Sequence, residues 1–236
     1  MALYETLAEI YSAIFPVSEA TADFIGPPPR EGSAIMDLGA GDGAHLAAFA
    51  ALGWRTRGLE PSEAMLAAAS RRPSGLGLAR GGMLDLERLR AGEAFACICC
   101  LGNTLPHLNG RAELAEFARQ AAGALESGGR LVIQLLNYGL LGPGSVLEPI
   151  QAAGYTFRRS YRPAPDGRLV FATALRDEAS GREEEDETLL YPFKPAELEA
   201  ALASAGLRVT GRYASWSRAP FNADSDRMLI LEARRD

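Results

Sequence analysis

The residues whose types and spacing suggest chemistry begin in the stretch AIMDLGAGDGAHLAAFAALG, Ala34 to Gly53, where Gly39, Gly41 and Gly43 follow an apolar run and Asp37 and Asp42 sit among them. A glycine turn between a strand and a helix is a general nucleotide-binding device, because glycine permits tight backbone geometry and lets main-chain amides approach a ligand. Gly39, Gly41 and Ala44 satisfy the loose dinucleotide pattern G-x-G-x-x-G/A. Electrostatics separates the ligands that use such turns. A pyrophosphate seated here would be repelled by Asp37 and Asp42, by roughly several kcal/mol where solvation is poor. A ligand with positive groups at this end is the better match. Glu60, about 20 residues further on, is spaced to accept both hydroxyls of a ribose, a role that supports any nucleoside and does not choose among them.

S-adenosylmethionine has that charge pattern: its α-ammonium and sulfonium complement an acidic turn, while main-chain amides can take its carboxylate. Displacement at a sulfonium asks the protein for alignment, a dry site and removal of a proton from the nucleophile, with no covalent catalyst. The chain has two histidines, His45 and His107. His45 follows the glycine turn on a helix, where packing accounts for it. His107, in NTLPHL, lies just beyond an apolar strand, where open α/β sheets bind ligands, and is the candidate base or acceptor contact. Asn137 and Tyr138 end the next strand on the same rim and are candidate acceptor contacts. Tyr4 and Tyr11 on the first helix, and Trp216 and Phe221 around the last loop, could wall a pocket, although core packing explains them as well.

The elements that must position these residues alternate. Leu3, Leu7, Ile10, Tyr11 and Ile14 recur at helical spacing before Pro16, a second helix is expected over Glu19–Ile25, and GPPPREG breaks the chain. SAIMDLG, RTRGLE, AFACICCLG and RLVIQLLN read as apolar strands, separated by the helical stretches AHLAAFAALG, PSEAMLAAASRR and GRAELAEFARQAAGALESGG. Continuous apolar strands alternating with helices indicate a parallel sheet covered on both faces. From about Gly142 to Phe193 the rhythm changes to YTFRRSYRP, RLVFATALRDE and REEEDETLLYPF, which read as an antiparallel insertion lying over one edge of the sheet. PAELEAALASAG returns to helix, and LRVTGRYASW and RMLILEARR, joined only by a loop, must pair antiparallel. The carboxylates of REEEDE alternate between two strand faces and suit a solvated edge, with Arg158, Arg159 and Arg162 of the same insertion as partners. Should one of those arginines line the cavity instead, an anionic substrate follows.

Composition limits the alternatives. The 236 residues are 47% hydrophobic and 23% charged with a net charge of −6, which describes a folding globular chain rather than one that tracks nucleic acid. One domain over 1–236 is expected, with residues 1–30 as a helical cap and 142–193 as the insertion. No stretch reaches the ~18 apolar residues of a membrane span, and no signal-peptide pattern opens the chain, so a cytoplasmic protein with no membrane partner is expected. Cys97, Cys99 and Cys100 are too close for a disulfide framework and, on a strand, cannot converge on a metal.

In order, MDLGAGDG, GLEPSEAML, CLGNTLPHL and SGGRLVIQLLNY resemble the consecutive motifs of class I S-adenosylmethionine-dependent methyltransferases, over roughly Ala34 to Tyr138. LGNTLPHL, the NY after the fifth strand and APFNADSDRMLILEARR are similar to small-molecule N-methyltransferases of the glycine and sarcosine type. The resemblance implies a Rossmann-like α/β fold: a seven-stranded, mostly parallel sheet with an antiparallel last strand, helices on both faces and the small antiparallel insertion as a lid. It implies that Asp37, Gly39, Ala40 and Gly41 hold the methionine end of the cofactor and Glu60 its ribose. Pro61, Met65, Met83 and Leu84 would pack at the adenine, and Leu101, Gly102 and Asn103 would face the sulfonium end. Relatives often carry an acid before that methionine; here Gly82 stands there and Asp85 is the nearest substitute. The implied acceptor is a small molecule, an amine first, in a monomer or homodimer. An NAD(P)-binding oxidoreductase and a non-catalytic binding module that kept the fold are the rival readings.

Overall fold

The computed structural model describes residues 2–141 and 144–236, with side chains from Glu5 onward; the Tyr4 side chain and the first two residues of the expected insertion, Gly142 and Pro143, lie outside them. The central layer is a sheet of seven strands in the order β10-β11-β5-β4-β1-β2-β3. These are β1 Ala34–Leu38, β2 Arg55–Glu60, β3 Leu78–Arg80, β4 Phe95–Cys100, β5 Leu125–Leu136, β10 Leu207–Tyr213 and β11 Met228–Arg235. β1 pairs parallel with β2 and β4, and β4 with β5, whereas β11 runs antiparallel to both of its neighbours, β5 and β10. The expected fold class is the observed one.

Alternation along the strands builds both sides of the core. Leu38, Ile98, Cys100, Ile133 and Leu231 face one layer, where Leu114, Phe117 and Ala121 of α6 (Arg111–Ala124) and Leu198 and Leu202 of α7 (Pro195–Ser204) cover them. Ile35, Cys97, Cys99, Val132 and Ile230 face the other, packed with Phe24 of α2 (Glu19–Ile25) and Phe49 of α3 (Ala44–Ala51). Full burial of a side chain such as Phe117 or Leu198 contributes about 1.5–3 kcal/mol. The three cysteines are buried and free, split between the two faces as strand alternation requires.

A second sheet, of four antiparallel strands in the order β6-β7-β8-β9, occupies the expected insertion: β6 Val146–Ala152, β7 Tyr155–Pro163, β8 Leu169–Asp177 and β9 Glu183–Leu190. Its apolar face does not stand alone. Phe157 and Leu175 are buried against Leu7 and Ile14 of α1 (Ala2–Ile14), and α1 continues onto α4 (Glu63–Ala69) through Ala8 and Met65. The N-terminal helix therefore bridges the two sheets.

Three local expectations differ. Helix α6 stops at Ala124 instead of running through Gly129, and LESGG opens β5; the pairing jumps from Phe95↔Leu125 to Cys97↔Arg130, so the glycines form a bulge in the strand rather than a helix cap. β3 has three residues and β6 carries Pro149; neither was evident as a strand, one because it is too short for a pattern and the other because proline is confined to sheet edges. Among the described residues no helix is long and apolar enough to cross a membrane.

Candidate active site

At the carboxyl end of β1 the chain turns through Gly39 and Gly41 with φ of +77° and +55°. Any Cβ on Gly39 would lie 2.3 Å from Cγ2 of Thr104, so both the conformation and the space require glycine there. The Gly39 and Ala40 amides donate to the Leu59 carbonyl (2.8 and 3.0 Å). The Gly41 amide donates to Glu60 Oε2 at 2.9 Å, and the Ser62 amide to Glu60 Oε1 at 2.8 Å. Burial pushes the Glu60 carboxyl up while these two bonds pull it down. The amides expected to take the ligand's carboxylate are thus engaged within the protein, and that carboxylate has to find other donors.

Asp37 is the unusual group. It is 1% exposed and neither carboxylate oxygen has a hydrogen-bond partner among the described residues. Burial first, and the nearby Glu60 second, push its pKa up to about 7. A buried carboxyl without partners is costly, and a cation within reach relieves the cost. The α-ammonium of S-adenosylmethionine is such a cation, so the residues present fit the charged end of that cofactor.

A cavity of about 580 Å³ opens beside the turn. The central sheet supplies Gly39, Ala40, Gly41 and Asp42 from the turn and Leu101, Gly102, Asn103 and His107 from the rim after β4; α1 supplies Tyr11, Phe15 comes directly after that helix, and the four-stranded sheet supplies Phe157, Arg159 and Tyr161. Trp216 reaches it from the last loop and Phe221 does not. Asp37 and Glu60 lie behind the turn, buried and off the cavity wall. The residues expected at the adenine, Pro61, Met65, Met83 and Leu84, are also off it. Met65 is packed against Ala8 and Ala68, and the Met83 thioether lies 3.6 Å from Cys100 Sγ. The Leu84 carbonyl accepts from Gln120 (2.8 Å), and Asp85 caps the Gly82 amide (2.9 Å) while pairing with Arg88.

On the rim, Asn103 adopts φ +63°, its Oδ1 accepting from the Leu136 amide at 3.0 Å and its Nδ2 lying 2.8 Å from the Tyr138 hydroxyl. Tyr138 is buried, its phenol held strongly toward the neutral form, and it reaches the cavity through two wall residues, Asn103 and the Tyr161 ring it meets edge-on. Asn137 is also off the cavity wall: its carboxamide donates to the carbonyls of Ala223 (2.8 Å) and Asp226 (2.9 Å), stapling the last loop. His107 does face the cavity, on a short 3-10 turn over Leu105–His107, and surrounding protein lowers its pKa, which keeps the imidazole neutral at physiological pH. His45 also lines the cavity; burial pulls its pKa down to about 4.

Two features were not evident from sequence. Gln134, whose Oε1 accepts from the Gly102 amide at 2.7 Å, shapes the rim; a lone polar residue inside the apolar run RLVIQLLN is the signal that marks it. The second is a clasp on α1. Ser12 donates to Asp42 Oδ2 at 2.5 Å, and Arg72 donates to both Ser12 Oγ and Asp42 Oδ2, each at 2.5 Å. It joins positions 12, 42 and 72, and no local spacing signals it.

The model of the methyltransferase domain matches residues 35–129. Among curated proteins, the chain is 30% identical over 194 residues to the dTDP-3-amino-3,4,6-trideoxy-alpha-D-glucopyranose N,N-dimethyltransferase of Streptomyces venezuelae, covering 80% of this chain and 81% of the relative. Among solved structures, the CcbJ methyltransferase of Streptomyces caelestis matches with a TM-score of 0.76 at 25% identity, over 92% of this chain and 94% of that one. The amino pentose methyltransferase CalS10 of Micromonospora echinaspora, solved with S-adenosylmethionine bound, matches with a TM-score of 0.67 at 26% identity, over 99% and 90%.

Proposed function

The chain belongs to the class I S-adenosylmethionine-dependent methyltransferases, and from that premise we propose that it methylates the amine nitrogen of a small molecule, an amino sugar foremost, with His107 as the proton acceptor. The observation that carries this reading is His107 itself: an imidazole kept neutral by its surroundings, on the cavity wall, on the rim that follows β4. An amine arrives largely protonated and must lose its proton before its lone pair can attack, so a neutral base beside the acceptor does necessary work. The similarity to an enzyme that dimethylates a sugar amine supports the acceptor class.

S-adenosylmethionine, when bound, supplies an activated methyl group on a sulfonium. The protein's own residues do the rest. Asp37 would offset the charge of the cofactor's ammonium from behind the turn, and Glu60, anchored by the Gly41 and Ser62 amides, would hold the ribose with its remaining lone pairs. Asn103, held by Tyr138 and the Leu136 amide, fixes the rim that the sulfonium end would face. Phe15, Phe157 and Tyr161 keep the cavity largely apolar, which excludes water and strengthens the few polar contacts inside. Tyr138 is a positioning residue, since it reaches the site through Asn103.

The test is methyl transfer from S-adenosylmethionine to 3-amino sugar nucleotides, read by mass spectrometry, in wild type and His107→Gln. Wild type is expected to add one methyl group and then a second. The variant is expected to lose about 10²- to 10⁴-fold in kcat, the usual contribution of a positioned base, with the loss shrinking as pH rises and the free amine grows. Equal rates in the two proteins at neutral pH would remove His107 from the role.

A further inference from the structure

Arg159 is the one permanent cation on the cavity wall among the described residues, and the other members of the wall do not neutralise it. Along β7 the side chains alternate. Phe157, Arg159 and Tyr161 face the cavity, while Arg158 and Arg162 face away and pair with Glu183 and Glu187 of β9, both at 2.6 Å. The acidic run thus satisfies the two outward arginines and leaves the inward one. Among the described residues Arg159 makes no ion pair; its Nε is buried without a hydrogen-bond partner, and its Nη2 has only a 3.5 Å contact with the Glu148 carbonyl. Its guanidinium lies 5.7 and 5.8 Å from the ring centres of Phe15 and Phe157, which orient it without using its donors. Its cross-strand neighbour, Thr173, shares the cavity wall. The other titratable groups on the wall are His45 and His107, both shifted toward neutral, Tyr11, Tyr161, whose phenol burial holds toward the neutral form, and Asp42, held by Arg72.

A half-buried guanidinium with unused donors in a ligand cavity is matched by an oxyanion, which takes parallel hydrogen bonds from the guanidinium fork. We propose that Arg159 receives an anionic arm of the acceptor, so that the substrate class is an amine carrying a phosphate or carboxylate. This rests on the cavity being the acceptor site. It adds that the lid sheet, and not only the rim of the central sheet, selects the substrate, by charge.

The experiment titrates thymidine diphosphate, inorganic pyrophosphate and glutamate into the S-adenosylhomocysteine-loaded protein, in wild type, Arg159→Gln and Arg159→Lys. At least one of these oxyanions is expected to bind wild type, to bind Arg159→Gln about tenfold or more weakly and Arg159→Lys in between, with S-adenosylhomocysteine affinity unchanged. Dependence with the diphosphates identifies a phosphorylated acceptor; dependence with glutamate alone identifies an amino acid. Either supports the assignment. No oxyanion binding to wild type, or equal binding to Arg159→Gln, overturns it. So does a fall in S-adenosylhomocysteine affinity in Arg159→Gln, which would give the guanidinium to the cofactor's carboxylate. Binding is read without turnover, so oxyanion binding together with failure to methylate any amine would sink the amine reading and leave Arg159's role standing.

Discussion

At the scale of single residues, two groups set the chemistry: the Asp37 carboxyl, which burial pushes toward neutrality, and the His107 imidazole on the cavity wall. The Asp37 carboxyl has a folded pKa of about 7 against an ordinary value of 3.8. The folded, ligand-free protein therefore holds a proton on it more tightly than the unfolded chain does. Below the unfolded value both states are protonated and the group adds no pH-dependent cost; as pH rises through the window from 3.8 to about 7 the unfolded chain ionises first and stability is lost. Asp37→Asn is expected to melt close to wild type at pH 4 and above it at pH 8 when no ligand is present, and to bind S-adenosylhomocysteine more weakly at pH 8, with the difference shrinking at pH 4 where the wild-type carboxyl is neutral too. Differential scanning fluorimetry across pH checks the first part and calorimetry the second. A melting difference that does not change with pH would mean the carboxyl is not buried bare. Asp37 was legible because its type and place after an apolar run are local facts. That it lacks partners was not, since that depends on which groups β2 and β4 bring beside it.

At the scale of elements, α1 closes the site. It packs on the lid sheet through Leu7 and Ile14 and is tied to the glycine turn by Ser12, Asp42 and Arg72. Charge-assisted bonds of this kind are worth about 1.5–3 kcal/mol each when buried. Removing Arg72 leaves the Asp42 carboxylate with the Ser12 hydroxyl and the Ala44 amide, and no cation. Arg72→Ala is expected to speed S-adenosylhomocysteine release by about tenfold, the equivalent of ~1.4 kcal/mol, in stopped-flow fluorescence of Trp216 on the cavity wall. An unchanged release rate would show that the helix closes the site without the clasp. Helices α1 to α4, α6 and α7, the four apolar strands and three strands of the insertion were legible from periodicity and turn residues, which are short-range signals, whereas the four-residue helix Leu86–Leu89 is too short to carry a period. β3 and β6 escaped because three residues carry no period and Pro149 contradicts a strand pattern away from an edge. The clasp and the pairing of Arg158 and Arg162 with Glu183 and Glu187 join positions distant in sequence. Strand alternation told which arginines share a face, but only the docking of the lid on α1 decided that Arg159 turns inward.

For the whole molecule, two sheets with α1 between them enclose one cavity, with carboxylates at the glycine turn and a lone guanidinium on the lid. This arrangement separates a methyltransferase from the two rival readings. A dinucleotide would set its pyrophosphate against Asp37 and Asp42, and a scaffold protein would not need the turn to admit a ligand. Gly41 tests both, because it adopts φ +55° and a Cβ there would approach the Tyr11 ring to 3.4 Å. Gly41→Val costs about 1–2 kcal/mol of backbone strain, an amount a domain with an ordinary margin of stability survives. The most direct measurement is calorimetric titration of S-adenosylhomocysteine and, separately, NADH into wild type and Gly41→Val, with circular dichroism to confirm that both are folded. Wild type should bind one S-adenosylhomocysteine per chain and not NADH, and the folded variant should bind neither. Tight NADH binding with no response to S-adenosylhomocysteine, or undiminished S-adenosylhomocysteine binding by Gly41→Val, would contradict the account.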